Sequence, residues 1–167
     1  MLYHVSEESG ITRFESRPTP SGEGSAVWAV SEDRLRNYLL PRDCPRVTFF
    51  AGERTTADDR ARFLGSSDAV VAFETCWLER VKQARLFCYE MLDDGFRCVD
   101  RNAGYFQNTA AVTPIDVEMI EDCLAALASR GVEIRVLPSL WDLHDAVVAS
   151  TVSYSIIRMR NAVPRWT

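Results

Sequence analysis

The sequence predicts an α+β fold in which mostly antiparallel strands are flanked by helices, and three observations predict it. Short apolar runs bounded by polar residues recur along the chain, and their length is typical of strands. Asp93-Asp94-Gly95 is a turn signal that favours an antiparallel hairpin between two such runs. Regular alternation of strands with helices, which would indicate a parallel sheet, is missing from the sequence.

Apolar runs and turn residues place the first elements in order. We expect strands at residues 2–5, 26–30, 47–50, 69–73, 85–92, 96–99 and 132–136. Proline and glycine make residues 17–25 typical of a loop. Short helices are expected at residues 33–39, 55–64 and 77–81. Ser31 would cap the first of these, and Pro41 would end it.

Two longer helices are predicted in the C-terminal third of the chain. Thr113 can cap the first of them and Pro114 can take its first position. Its apolar side would consist of Ile115, Met119, Ile120, Cys123, Leu124 and Leu127. Ser139 followed by Asp142 fits a capping box, which would open a last helix that runs through Tyr154.

Length and composition favour one soluble domain. A chain of 167 residues is long enough for one substantial core, and we expect a single domain over residues 1–167. Apolar residues make up 47% and charged residues 26%, and no apolar run approaches the roughly 20 residues of a membrane-spanning helix. The N-terminus turns polar after Val5, so we expect no signal-peptide core. We therefore expect a cytoplasmic protein that makes no membrane contact.

The titratable residues exclude some classes of site. Five widely spaced cysteines, mostly in apolar runs, are typical of reduced core thiols, and two histidines do not support a zinc site. The net charge of −5 argues against non-specific adhesion to nucleic acid or to an anionic membrane. We expect no metal site, and the charge favours a small ligand or a protein partner.

Candidate site residues lie in the first forty positions. The opening strand carries His4 and ends in Ser6, while the second strand carries Trp28 and leads into a helical segment that ends at Tyr38. We expect a site where these two strands lie side by side. The same residues also fit a histidine satisfied by backbone groups and aromatic rings that belong to the core.

These blocks resemble the ADP-ribosyltransferase superfamily. In that family an opening strand carries a histidine, a glycine–isoleucine turn follows, and a glycine precedes a strand with an aromatic residue and a helix ending in tyrosine. Residues 2–6, Gly10-Ile11 and residues 24–38 match this order, and residues 85–92 and 112–115 resemble the closing strands and their exit. The likeness implies split, mostly antiparallel sheets in a single ADP-ribosyltransferase-like domain. The whole chain also resembles a small uncharacterised bacterial family.

The resemblance implies a transferase with a nucleotide site and with NAD as co-substrate. His4 would bond to the ribose hydroxyls of NAD, and Tyr38 or Trp28 would stack on the nicotinamide. The catalytic residues would then be His4, Tyr38 and Gln107. The residues that bind the nucleotide would be His4, Ser6, Trp28, Tyr38, Arg42, Arg46 and Tyr105.

Gln107 departs from the pattern of that family. Members of the histidine-tyrosine-glutamate type place a glutamate where this chain has Tyr105-Phe106-Gln107-Asn108. A glutamine can hold a ribose hydroxyl, but it carries no negative charge and accepts no proton, and general acid–base groups contribute about 10² to 10⁴ in rate. A slow transferase, a pure NAD binder and different chemistry therefore stay open.

Several arginines suggest a variant of the transferase hypothesis. A branch of the superfamily that moves RNA 2′-phosphates onto NAD uses a histidine and several arginines. Arg42 and Arg46 lie in a proline-stiffened loop, where their planar guanidinium groups suit phosphate, and the two cations make Cys44 between them a candidate nucleophile. The basic tail would add contacts from Ser155, Arg158, Arg160 and Asn161.

Two other functions fit the same residues. The first is a non-enzymatic module that binds a protein or nucleic acid through the Arg42 and Arg46 loop and the basic tail. The second is an enzyme that acts on a phosphorylated small molecule in the same pocket, since a fold does not fix a function. The transferase reading is also compatible with a macromolecular acceptor.

Overall fold

The structure is a computed structural model that describes residues 1–19, 22 and 24–165. In chain order, its strands are β1 (Leu2–Ser6), β2 (Arg17–Pro18), β3 (Ser25–Ser31), β4 (Arg46–Phe50), β5 (Ala69–Glu74), β6 (Leu86–Met91), β7 (Arg97–Asp100), β8 (Tyr105–Asn108), β9 (Asp116–Ile120), β10 (Val132–Leu137) and β11 (Ser153–Ile157). Its α-helices are α1 (Ala57–Asp59), α2 (Leu78–Gln83), α3 (Cys123–Ala128) and α4 (Trp141–Val148). Short helical turns are formed by Glu32–Tyr38, Arg60–Leu64, Thr75–Trp77 and Met159–Asn161.

The described chain forms two compact units. Unit 1 consists of Met1–Tyr38 and Arg85–Glu121, and unit 2 consists of Leu39–Ala84 and the chain from Asp122 onward. Each unit contains its own sheet. The sequence prediction of a mixed α+β fold with mostly antiparallel strands is confirmed, and the single ADP-ribosyltransferase-like domain stays a prediction. Among the helices of the described residues, none has the length and apolar character that crossing a bilayer requires.

The sheet of unit 1 is antiparallel throughout. Its strands follow the order β7-β8-β3-β1-β6-β9, and the short β2 also pairs with β3. Successive side chains of a strand point to opposite faces, and one face carries the core of unit 1. The buried members of that core are Leu2, Val27, Ala29, Tyr89 and Met91.

The sheet of unit 2 is buried more completely. Its order is β10-β5-β4-β11, with β5 and β10 parallel and the other pairs antiparallel. Every residue of β4 and β5 is buried, which explains the unbroken apolar run from Ala69 to Phe73 in β5. Helix α4 packs on this sheet through Val147, in a core that includes Phe49, Phe63 and Val70.

The predicted hairpin at Asp93-Asp94-Gly95 is wrong. The turn exists, since the Phe96 N–H donates to the Asp93 carbonyl at 3.1 Å and Gly95 has a φ of +75°. The two strands beside it do not pair, because β6 lies between β1 and β9 while β7 pairs with β8. A turn signal reports a local reversal of the chain, and it does not choose the partner of either strand.

The predicted helix that begins at Pro114 is also wrong over its first half. Residues 116–120 form β9, and a helix begins only with α3, where the Asp122 side chain accepts from the Ala125 N–H at 2.9 Å. Apolar residues at 115, 119 and 120 satisfy a helical spacing. The strand spacing of Ile115, Val117 and Met119 was the one that the fold uses.

The last predicted helix is too long and its cap was misassigned. Helix α4 ends at Val148, and the chain continues as β11 instead of remaining helical through Tyr154. The Ser139 hydroxyl accepts from the Trp141 N–H at 3.3 Å, not from Asp142. The N–H of Leu140, the cap residue just before the helix, donates to the buried Glu74 carboxylate at 3.2 Å.

Candidate functional site

The face of the unit 1 sheet opposite its core carries a group of aromatic side chains. In the pairing of β3 with β8, Trp28 lies opposite Gln107 and Val30 lies opposite Tyr105. Their neighbours Val27, Ala29 and Phe106 belong to the core. Because side chains alternate along each strand, Trp28, Tyr105 and Gln107 share the other face. We call Trp28, Tyr38 and Tyr105 the aromatic face.

The three rings of the aromatic face contact each other in a row. The Trp28 and Tyr105 ring centroids lie 5.9 Å apart with the planes 87° from parallel, an edge-to-face arrangement. The Tyr105 and Tyr38 rings are 6.2 Å apart, and their hydroxyl groups are hydrogen-bonded to each other. All three side chains are half-buried. The rings therefore form a braced apolar surface that solvent still reaches.

A tight turn before β8 fixes the helical segment that carries Tyr38. The Ser31 N–H donates to the Gly104 carbonyl at 3.0 Å, and the Arg34 Nε donates to the Asn102 carbonyl at 2.8 Å. Gly104 has a φ of +65°, and a Cβ there would lie 2.5 Å from the Ser31 Oγ. Glycine alone fits this close approach, and the contact brings Tyr38 against Tyr105.

Two polar groups beside these rings have no hydrogen-bond partner among the described residues. Within the described part of the chain, neither the side-chain amide of Gln107 nor the indole N–H of Trp28 forms a hydrogen bond. Both side chains are half-buried. An amide offers donors and an acceptor together, so this face combines aromatic area with groups that can orient a polar ligand.

His4 lies on the core face of the sheet. It pairs with Tyr89 on β6, two residues along from the core pair of Leu2 and Met91. Its ring packs against Phe14, with centroids 4.7 Å apart. Its Nδ1 lies 2.8 Å from the Trp28 carbonyl oxygen. A carbonyl oxygen only accepts, so Nδ1 carries the proton.

The bond from His4 spans a fork in the sheet. Strands β1 and β3 pair at only two positions, Leu2 with Ser31 and Tyr3 with Val30, although both strands continue. Ser6, further along β1, accepts a hydrogen bond from the Glu8 N–H at 3.1 Å. The predicted residues thus divide between two faces, since His4 and Ser6 share the core face, whereas Trp28, Tyr105 and Gln107 lie on the opposite one.

The predicted arginines belong to unit 2 and have different fates. Arg46 is the first residue of β4 and is only 3% exposed, and its Nη1 donates to the Pro41 carbonyl at 2.9 Å. Arg42 is exposed, and its carbonyl accepts from the Arg158 Nε at 3.3 Å. Arg160 is exposed as well. The loop therefore presents Arg42 to solvent, while Arg46 is part of the interior.

The basic tail folds onto that same loop within unit 2. The Asn161 side chain donates to the Asp43 carbonyl at 2.8 Å, and Arg158 lies 3.8 Å from the Asp43 carboxylate. Ser155 lies in β11 opposite Thr48 of β4. These contacts give Arg158 and Asn161 a structural role in tying the chain end to residues 42–43.

Cys44 does not have the character of a nucleophile. Burial raises the pKa of its thiol from an ordinary 9.0 to about 12, although nearby Arg46 acts in the opposite direction. The side chain is completely buried. A reactive cysteine needs an accessible thiolate at neutral pH, and both conditions are missing here.

Sequence reasoning missed a buried carboxylate and a small pocket in unit 2. Glu74 ends β5 with no exposed surface, and it accepts from the Leu140 and Val163 N–H groups at 3.2 and 2.9 Å. The sequence signal for this buried carboxylate was a single acidic residue directly after the apolar run of residues 69–73. Residues on either side of Leu140 also line a pocket of about 340 Å³. Its lining consists of Pro138, Ser139, Trp141, Asp142 and Arg165.

The cation of that pocket is already engaged. The Arg165 guanidinium donates two hydrogen bonds to Asp145, at 2.6 and 2.8 Å, and lies 4.2 Å from the centroid of the Trp141 ring. Hydrogen bonds from Arg165 and His144 lower the pKa of Asp145. Across the described residues, no group of three or more cysteine, histidine or carboxylate side chains is placed to hold a metal ion.

Comparison with known proteins gives a family and no activity. Neither a curated protein nor a solved structure matches the chain. A family of unknown function, DUF6886, matches residues 3–162. This match covers nearly the whole chain, including both units and every residue of the aromatic face. The chain therefore belongs to the DUF6886 family.

Proposed function

We propose that unit 1 binds a nucleotide of the NAD type, and that the aromatic face with Gln107 receives its nicotinamide. The observation that carries the proposal is the half-buried indole of Trp28, which Tyr105 contacts edge-on and which lies next to an amide that has no hydrogen bond to any described residue. Stacking of a base on an aromatic side chain contributes about 1–3 kcal/mol. That range corresponds to roughly a fivefold to hundredfold change in affinity.

The chemistry of nicotinamide fits this pair of groups. Its carboxamide and the Gln107 amide each have a donor and an acceptor, so the two can exchange paired hydrogen bonds. The oxidised ring carries a positive charge, which the electron-rich face of an indole attracts. We therefore expect oxidised NAD to bind more tightly than its reduced form, which lacks that charge.

Binding, rather than transfer, is the function that these residues support. The Gln107 amide is neutral, so it offers no charge to a developing oxocarbenium ion and no base for a proton. His4 lies on the other face of the sheet and holds a backbone carbonyl. Transfer of ADP-ribose or of a phosphate stays a prediction. An assay that measures the release of nicotinamide from NAD over several hours would detect it.

Calorimetric titration of NAD into the wild type and into Trp28→Ala and Gln107→Ala variants tests the proposal. We expect about tenfold weaker binding for Trp28→Ala and a smaller loss for Gln107→Ala. Tyr154→Ala is the matched control, because Tyr154 is 46% exposed in unit 2. Nicotinamide mononucleotide and adenosine monophosphate, titrated separately, identify the half of NAD that is recognised.

Two results would overturn the proposal. One is the absence of heat with NAD in the wild type, and the other is equal affinity in the wild type and Trp28→Ala. A His4→Ala variant separates the faces of the sheet. If it lost all affinity while Trp28→Ala kept it, the ligand would belong to the core-face fork and not to the aromatic face.

A further inference from the structure

The strand β9 forms an open edge of the unit 1 sheet. It stands last in the strand order, after β6, and residues 116–119 are all exposed. The Val117 N–H bonds to the side chain of its neighbour Asp116 at 2.8 Å instead of to β6. Backbone groups of Val117, and by the two-residue repeat those of Met119, therefore face outward from the sheet.

One side of this edge is an exposed apolar row. Val117 and Met119 are 47% and 49% exposed, and Ile115 just before the strand is 51% exposed. Val117 pairs with Tyr89 and Met119 with Phe87, both of which belong to the unit 1 core. The row therefore extends the core face of the sheet beyond its last buried strand.

The other side of the same edge is acidic. Asp116 and Glu118 alternate with the apolar residues, and Asp116 lies opposite Glu90 on β6. Strand β6, which pairs with β9, contains no lysine or arginine between Leu86 and Met91. An added strand that fits both sides would alternate apolar residues with lysine or arginine.

A second copy of the chain does not meet this requirement. Antiparallel self-pairing centred on Val117 would place Asp116 opposite Glu118, and a shift of one pair would place Glu118 opposite its own copy. Like charges directly opposite each other destabilise a strand pair. The other edge strand, β7, is interrupted by an irregularity between Cys98 and Asp100, and it contains one arginine and one aspartate instead of an alternating row of cations.

We propose that β9 is the docking edge for an extended segment of a partner protein in which apolar residues alternate with lysine or arginine. The segment would add a strand to the sheet through the outward backbone groups of Val117 and Met119, and it would displace the Asp116 side chain from the Val117 N–H. Its apolar side chains would cover the exposed row, and its cations would face Asp116 and Glu118. This surface is independent of the aromatic face, so either proposal can fail alone.

Fluorescence anisotropy with a labelled synthetic nonapeptide of alternating lysine and valine tests the proposal. Two matched peptides serve as controls: one has glutamate in place of lysine, and one carries N-methyl groups on alternate residues, which block backbone pairing. We expect the lysine–valine peptide to bind the wild type at least tenfold more tightly than either control. The difference from the N-methylated peptide separates strand addition from simple charge attraction.

Charge reversal in the protein completes the test. In the double variant Asp116→Lys with Glu118→Lys, we expect the protein to bind the glutamate–valine peptide more tightly than the lysine–valine peptide. If that variant does not fold, the neutral double variant Asp116→Asn with Glu118→Gln replaces it, and the preference for the lysine–valine peptide should be lost. Equal binding of the lysine–valine and glutamate–valine peptides to the wild type, or no binding of either, would overturn the proposal. Asp116 and Glu118 would then serve only to prevent aggregation at the open edge. A wild-type dimer in sedimentation that Met119→Lys dissociates would overturn it in favour of a second copy.

Discussion

The sheets of the two units differ in what their polar residues do. In unit 2, β4 and β5 are buried at every position, and their charged residues serve the interior. Arg46 bonds to the Pro41 carbonyl, and Glu74 holds two backbone N–H groups. In unit 1, β3 and β8 combine buried with half-buried residues, and the described residues supply no hydrogen bond to the Gln107 amide or the Trp28 indole.

This difference separates residues that stabilise from residues that can bind. A buried charge is costly unless partners satisfy it, so Arg46 and Glu74 are committed to the fold. Half-buried rings and amides cost little when unpaired because water still reaches them. The comparison teaches that the arginine pair of the sequence is the weaker functional signal, and that the aromatic face is the stronger one.

The cysteines give the largest contrast that an experiment can measure. At pH 8 in iodoacetamide, Cys98, which is exposed on β7, should be alkylated first. Cys76 is exposed but should lag, because desolvation and then the Glu74 carboxylate raise its pKa. Cys44 should be the slowest, since the rise in its pKa from 9.0 to about 12 cuts the thiolate fraction by about a thousandfold.

Peptide mass spectrometry over time measures these rates in the folded protein. The same reaction in urea is the control, because all three thiols should then react at similar rates. Alkylation of native Cys44 as fast as Cys98 would break the comparison, since it would make the interior of unit 2 accessible.

Glu74→Ala should cause the largest loss of stability among the single substitutions considered. It removes the charged acceptor of two backbone N–H groups, and hydrogen bonds to charged groups contribute about 1.5–3 kcal/mol each. We expect the free energy of unfolding to fall by about 3 kcal/mol or more in urea titrations. Glu74→Gln keeps one acceptor oxygen and should lose less.

Glu79→Ala is the matched control for this loss. Glu79 accepts from Lys82 at 2.9 Å on the surface of α2, with both side chains largely exposed. Exposed ion pairs contribute about 0–1 kcal/mol. Equal losses for Glu74→Ala and Glu79→Ala would contradict the structural role of the buried carboxylate.

Much of the fold was predictable from local pattern, and the misses share one cause. Apolar runs located strands such as β5, because burial on both faces leaves a continuous apolar signal from Ala69 to Phe73. Strand β9 lies at an open edge, and four of its five residues are exposed, so burial leaves no continuous apolar run there. The cap and proline signals of Thr113 and Pro114 then outweighed its two-residue repeat.

The candidate site was predictable by residue but not by face. Trp28, Tyr38, Tyr105 and Gln107 were all named from the sequence, and the structure brings the three rings into contact. The division between His4 and Trp28 depends on which residues pair across strands. A shift of one residue would exchange the faces, and no local pattern in a single strand contains that information.

Tyr89→Phe tests the core face of the unit 1 sheet, and we expect an intermediate loss in the free energy of unfolding. The Tyr89 hydroxyl donates to the Glu8 carbonyl at 2.8 Å and accepts from the Ile11 N–H at 3.1 Å, and the side chain is 1% exposed. Its loss leaves both groups without a partner, which costs about 1–2 kcal/mol. Urea unfolding of Tyr154→Phe, at an exposed position, should differ from the wild type by no more than about 0.5 kcal/mol.

The smallest expected effect is the pH dependence that Glu133 gives to unit 2. Hydrogen bonds from Arg135 at 2.8 Å and Ser67 at 2.7 Å lower the pKa of Glu133 below its ordinary 4.5. A lowered folded-state pKa means that the contribution is complete above about pH 4.5 and is lost as pH falls through the folded value. Because the side chain is 37% exposed, we expect less than about 1 kcal/mol.

Urea unfolding of the wild type and Glu133→Gln between pH 3 and 7 measures this contribution. The two proteins should differ in stability at neutral pH and converge as the pH falls, because protonation removes in the wild type what the substitution removes at every pH. Ser67→Ala takes away one donor and should lose part of the same dependence. A gap that widened toward low pH would give the opposite sign, and Glu133 would then be a group that unit 2 buries at a cost rather than one that its hydrogen bonds stabilise.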